Sequence, residues 1–531
     1  MREKVLIYGN HPLRENLLAQ YEQKDCDTTI VESVDDSINI DSFAEVCILP
    51  QEPLSCQNKT QTDQETLSVL WEIAQLYHPS QHQGKRLKCH LLLSDNMTLQ
   101  ILQLQDFSPA IKVSLDVYPF AMEDEWSKTI VLDWQPITIS SEKTVHLVIF
   151  GTGQIAERVA VNAAHVAHYP NYIRDHHLRT RITIIGEKMT GWKDAFIQKY
   201  QYLFEHSYYR FISPQPSTLK PHPFPNTHHP TPITHHPLYH HREDFVDVEW
   251  EFVEATSYTQ AVKDKLQLWS SSKEKQLLTI VFAHEEDEQN IQEAFMLPAS
   301  VSQNSIPVYV YTKDSILFQN ISLHGKAASM KPFGMLNSGY DIRQPLVEMA
   351  KTVNAIYRHC YTDDVKEGDY NLTMAVRFLK YAVKVTSEER EQLWAELPMM
   401  KRVSSISNAM NIATKMRSVG IMENEWDRFY DLSSEEIGLL AQVEHNRWCV
   451  EELMMGWRPC TDEEREMVDK DINQKQALKR QKVHYDLCAF NELGLDETGK
   501  HVSLYDLCLC ASLPFIVKSA TDNDCQEGGD R

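Results

Sequence analysis

No apolar run in this 531-residue sequence approaches the roughly 20 residues that a membrane-spanning helix requires. The opening Met1-Arg2-Glu3-Lys4 leads into a short apolar stretch, Val5 to Tyr8, too brief for a signal peptide. It reads as a first β-strand. No C-x-x-C pair occurs among the eleven scattered cysteines, and Cys508 with Cys510 makes only a C-x-C. A zinc site or disulfide framework is therefore not expected, and a reducing, cytoplasmic compartment is. Positive charge is also in short supply. Lys plus Arg is 52 against 75 for Asp plus Glu, a formal net charge of -23. That balance argues against direct nucleic-acid binding and against docking on an anionic membrane. P-loop, G-x-S-x-G and H-E-x-x-H motifs are all missing.

What is present is a globular composition, 42% hydrophobic and 24% charged, which excludes a disordered chain. The length predicts three or four domains. Short apolar runs alternate with helical spacing twice. The first series holds Val5–Tyr8, Thr28–Val31, Val46–Leu49 and Cys89–Leu93. The second holds Val145–Phe150, Ile182–Ile185, Trp250–Val253, Leu277–Phe282 and Val308–Tyr311. Such alternation predicts parallel sheets covered on both faces. After about Asp341 the strand signal fades. Helical periods follow at Leu346–Tyr357, Leu372–Val385, Glu388–Leu397, Asn408–Val419 and Glu436–Met455. Ser433-Ser434-Glu435-Glu436 is a capping box opening the last. The expected fold class is α/β, with two tandem Rossmann-like doubly wound domains followed by a mainly α-helical domain. The expected boundaries are 1–138, 139–345, a helical connector 346–431, a domain 432–518 and a flexible tail 519–531. Residues 219–242 contain seven histidines and several prolines. They read as a solvated insertion, with metal capture by His-His pairs the alternative; no defined metal site is expected.

Gly151-Thr152-Gly153-Gln154-Ile155-Ala156 lies between a strand and a helix, the context a nucleotide-binding turn needs. Gly151 permits the tight turn, Gly153 clears space for a phosphate, and Ala156 lets helix and strand pack closely. The helix start offers free N–H groups to an anion. Glu187, after the second strand, is the candidate ribose-binding acid. These residues call for NAD or another adenine nucleotide; the alternative is a turn kept for packing alone. The corresponding loop of the first domain, Gly9-Asn10-His11-Pro12-Leu13-Arg14, has only the first glycine, although Glu32 follows its second strand. That domain reads as structural or dimerising. His284-Glu285-Glu286-Asp287 follows a later strand and reads as a solvated helix start, with a catalytic base the alternative.

The second domain resembles the TrkA-N family, on Gly151, Gly153, Ala156 and Glu187. The C-terminal region resembles the ryanodine-receptor (RyR) repeat more specifically. The matching segments are Leu440 to Trp448, Gly456-Trp457-Arg458-Pro459, His484-x-Asp486-Leu487-x-x-Phe490-x-Glu492-Leu493, and Tyr505-Asp506 leading to Leu513-Pro514. Cys488-Ala489 and Arg458 depart from the repeat's pattern. Trp394-x-x-Leu397 and Ser407-Asn408-Ala409 resemble the lead-in of bacterial proteins that join the two domains. The resemblance implies a sensor of a nucleotide or nucleotide-derived signal in a defence or ion-transport system, with a separate effector or channel partner. It also implies site roles for His484, Phe490 and Tyr505.

Read physically, Trp448 and Trp457 can stack on a ring, Arg447 and Arg458 can hold a phosphate or carboxylate, and His445 and Asn446 can read a base edge. The same spacing also fits core tryptophans, and ion pairs of Arg447 with Glu444 and Glu451. The expectation is a soluble, homo-oligomeric, non-enzymatic ligand sensor. An NAD-dependent oxidoreductase and an assembly subunit with vestigial pockets are the alternatives.

Overall fold

The computed structural model describes residues 2–34, 38–51, 59–134, 141–213, 244–314, 316–320, 329–362, 375–376, 386–422 and 425–526. The histidine-proline segment 219–242 and most of Leu372–Val385 lie outside the described residues.

The first sheet contains β1 (Lys4–Tyr8), β2 (Asp27–Val31), β3 (Glu45–Ile48), β4 (Leu87–Leu92) and β5 (Leu115–Phe120). All pairs are parallel, in the order β2-β1-β3-β4-β5. β5 was not expected from the sequence. It is an edge strand, which is why Pro119 is tolerated near its end.

The second sheet contains β6 (Thr144–Phe150), β7 (Thr180–Gly186), β8 (Tyr208–Ile212), β9 (Val248–Glu254), β10 (Gln276–Phe282), β11 (Val308–Tyr311) and β12 (Met330–Phe333). Its order is β12-β11-β10-β6-β7-β9-β8, again parallel. Without the edge strand β8, this is the 3-2-1-4-5-6 order of the dinucleotide-binding fold. β6 and β10 are mostly apolar, as a sheet covered on two faces requires, with His146 and Thr279 the buried polar exceptions. The α/β class and its paired parallel sheets are therefore as the sequence predicts.

Helices fill the rest, chiefly Pro345–Thr362, Ser387–Glu396, Met399–Ser418, Ser434–Met454 and Ser503–Ala511. The final helix runs from Leu513 to Gln526, further into the expected tail than the polar sequence suggested. Leu513 and Ile516 are fully buried and the helix packs on Pro345–Thr362, which anchors its start. No helix among the described residues is long and apolar enough to cross a membrane.

One core cluster runs through all the parts, alongside smaller separate ones. Val5, Trp126, Leu147, Val159, Trp250 and Leu453 belong to a single contiguous cluster. Polar contacts reinforce the junctions. The Trp126 indole N–H donates to the carbonyls of Met335 (3.0 Å) and Ser338 (2.9 Å). The Asn411 amide donates to the Val166 carbonyl at 2.7 Å, and Arg402 pairs with Asp116 at 2.7 Å. Helix Met399–Ser418 thus touches both sheet-bearing regions.

Candidate functional site

The glycine turn sits where the second sheet reverses its winding. β6 has β7 on one side and β10 on the other, so the end of β6 opens into the crevice where this fold takes ligands. The Gly151 amide donates to the Ile185 carbonyl at 2.9 Å, and Gly151 adopts φ +123°. A Cβ there would stand 2.5 Å from the Ala283 carbonyl oxygen, so only glycine fits. Gly153 has ordinary extended backbone and caps the helix Gln154–Val166. Ala156 is fully buried and Ile155 nearly so, which leaves their backbone, not their side chains, toward the turn. Thr152 lies against Gly186, where an added Cβ would meet the threonine methyl at 2.5 Å. Glu187 follows β7 directly and is exposed, the position expected of a ribose-binding acid.

The charge around the turn was not anticipated. A Cβ on Gly153 would meet the Glu285 side chain at 2.9 Å, so a carboxylate stands where a phosphate would approach. The Tyr311 hydroxyl has its pKa pushed up by burial, then by Glu123, Asp287 and Glu285. Lys59 answers these acids. Its Nζ lies 3.2 Å from the Gln154 amide oxygen and 3.4 Å from Glu123. In the segment His284 to Asp287, His284 pairs with Glu293 at 3.1 Å and Asp287 accepts from the Lys313 amide at 2.6 Å. Asp287 opens the helix Asp287–Phe295, as the reading of a helix start predicts.

In the first sheet, Gly9 keeps the turn at φ +96° against the Leu49 carbonyl. His11 Nδ1 accepts from the Leu13 amide at 3.1 Å and so occupies the helix start itself. Burial lowers its pKa to about 4.

The C-terminal cluster divides in two. The first part is ionic. Arg447 meets Glu444 through Nε at 3.1 Å and Nη2 at 2.9 Å, and Glu451 through Nη1 at 2.7 Å. Lys415 also pairs with Glu444, and Asn408 donates to it at 2.6 Å. Burial pushes the Glu444 carboxyl up, but Arg447 and Lys415 outweigh it and hold it at about 2. Arg447 is 1% exposed, so its cation is spent inside the protein. Arg458 grips Glu464 with two 2.7 Å contacts, and Tyr505 donates to Asp496 at 2.5 Å.

The second part is aromatic. His484 lies between Trp448 and Trp457, with ring centroids 4.9 and 5.7 Å away. His445 is 5.6 Å from Trp448 and 5.8 Å from Phe490. His445 Nε2 donates to the Cys488 carbonyl at 2.8 Å, and Nδ1 faces Asp506 at 3.5 Å. Burial, with Lys479, Lys401 and Lys475 nearby, holds His484 well below the usual histidine range. Trp448 and His484 are only part-buried, whereas Asn446 is buried. The structure therefore gathers His445, Trp448, Trp457, His484 and Phe490, and places Arg447, Arg458 and Tyr505 in internal pairs.

A further cavity of about 230 Å³ opens away from both places, where the two sheet-bearing regions meet the helical one. Its walls come from segments more than 250 residues apart, so no local motif announces it.

Fold and turn together define an α/β protein with a dinucleotide-fold sheet. No protein-family model, curated protein or solved structure matches the chain.

Proposed function

We propose that this chain is a non-catalytic ligand sensor that binds an adenine nucleotide, NAD among them, at the Gly151–Gln154 turn. The observation that carries the reading is the glycine turn at the switch point, with exposed Glu187 beside it at the end of β7. A helix start supplies amide donors to phosphate, and Lys59 adds a cation within reach of the turn. The TrkA-N resemblance of the same residues agrees with this.

The aromatic group of Trp448, His484 and Trp457 is the proposed second contact surface, in keeping with the RyR resemblance. Neutral His484 and two indoles suit a flat ring rather than a phosphate. Arg447 supports that surface from behind through Glu444 and Glu451 and does not touch the ligand. Signal then passes across a homo-oligomer or to a separate effector.

Isothermal titration of the full chain with NAD, ATP and AMP tests the first site. Gly153→Val should abolish the heat of binding while the circular-dichroism spectrum stays unchanged. Undiminished affinity in that variant removes the assignment of the turn.

A further inference from the structure

The cavity between the regions has walls chiefly from four segments, to which Gln103 of the helix Asn96–Leu104 is added. β5 and the helix Met122–Leu132 provide Phe120 and Lys128, and the helix Gln154–Val166 provides Arg158, Asn162 and His165. The last two walls are the stretch 339–347 and the helical pair carrying Trp394 and Met399 to Met410. Arg158, Asn162 and His165 recur at three- to four-residue spacing, so one helix face looks into the space. Arg402, Ile406 and Met410 do the same from Met399–Ser418.

Its charges are already matched. Asp124 meets Lys128 at 2.9 Å and the Asn162 amide at 3.1 Å. Lys128 also meets Glu125 at 2.6 Å. Arg158 donates to the Tyr200 hydroxyl at 3.1 Å, and Arg402 is bound to Asp116 and lies 5.1 Å over the Trp394 ring. A charged guest would have to break one of these buried pairs or lie there uncompensated, and either is costly. Two polar atoms of the lining are left over. His165 Nδ1 and the Trp394 indole N–H are buried and have no hydrogen-bond partner. Burial, with Arg447, His168 and Arg158 nearby, holds the His165 ring at about 3, so it is neutral and able to give or accept one hydrogen bond. The rest of the wall holds the rings of Tyr118, Phe120 and Trp394 and the apolar Leu346, Ile406 and Met410, with Thr129, Gln344 and Ser407 as neutral polar groups. An engineered cavity of about 150 Å³ takes benzene. At about 230 Å³, this one has room for a second ring or polar substituents.

We propose that this cavity binds an uncharged one- or two-ring heteroaromatic molecule of the purine-base class, with its faces on the aromatic walls and a polar edge at His165. The site is separate from the glycine turn, but both lie on helix Gln154–Val166, one at its start and one along its face.

Titration of the full chain with free adenine tests the proposal, with AMP as the charged comparison. Adenine should saturate one site below about 1 mM. His165→Phe should weaken it about tenfold, because one buried hydrogen bond is lost. Ile406→Trp, which fills the space, should abolish it, and Gly153→Val should leave it unchanged. A crystal soaked with adenine should show the ring against Trp394. No saturation by adenine, or saturation that is unaffected in both His165→Phe and Ile406→Trp, overturns the site. Loss of adenine binding in Gly153→Val places the base at the turn and also overturns it. Loss of AMP alone in that variant concerns the turn and leaves the cavity standing.

Discussion

Glu444 and Arg447 stand one turn apart on the helix Ser434–Met454 and face each other with two nitrogens within 3.1 Å of the carboxylate, both at most 1% exposed. Glu451 and Lys415 complete a buried network with no part left for an external anion. Removing one partner leaves a buried charge unmatched. Arg447→Ala should therefore cost about 3–5 kcal/mol in urea unfolding. A loss below about 1 kcal/mol, with ligand binding impaired, would restore Arg447 to a contact role.

The two glycines of the turn should behave differently. Gly151→Ala forces a side chain into φ +123° against the Ala283 carbonyl and should destabilise the fold by about 1–3 kcal/mol. Gly153→Ala meets only the flexible Glu285 side chain in ordinary backbone, so its melting temperature should stay close to that of the parent. Differential scanning calorimetry of the pair checks this directly.

Glu285 opposes an incoming phosphate. Glu285→Gln should raise nucleotide affinity about three- to tenfold at low salt, and the gain should shrink as salt screens the charge. Titrations at two ionic strengths decide the matter. Equal affinities in parent and variant would mean that the phosphate lies elsewhere.

Acid should loosen the second sheet through His146. This residue is fully buried, between Gln276 at 3.1 Å and Thr183 at 2.8 Å. Burial, then Arg181, lowers its pKa from 6.5 to about 3. The unfolded chain takes up a proton near pH 6.5, and the folded chain does not until about pH 3. The stability tied to this neutral ring is therefore full above 6.5 and is lost as pH falls toward 3. The loss is about 1.4 kcal/mol per pH unit in that window. Glu251 and Glu444, both held at about 2 against burial by their cations, add to the fall below about pH 4.5. His146→Gln should flatten the slope between pH 6 and 4 by about one proton. An unchanged slope there would contradict the assignment.

Much of the architecture was legible because parallel strands are apolar on both faces. Val145–Phe150 and Leu277–Phe282 needed no tertiary information. The helix start at Ser433 was legible too, and both capping-box bonds are present. Edge strands were harder. β8 and β12 mix polar or proline residues with apolar ones, since an edge is only partly covered. The turn glycines were readable from spacing, but Glu285 lies 132 positions beyond Gly153 and reaches it only through the pairing of β10 with β6. The roles of Arg447 and Arg458 were ambiguous for a physical reason. An arginine beside glutamates reads alike whether solvent, ligand or core surrounds it, and burial decides.

The most direct test of the sensor reading is native mass spectrometry of the full chain with adenine nucleotides, for the parent and for Gly153→Val. The account predicts a nucleotide adduct at fixed stoichiometry in the parent and none in the variant, with the same charge-state distribution for both. Absence of an adduct across ATP, AMP and NAD, or an adduct retained in full by the variant, would contradict it.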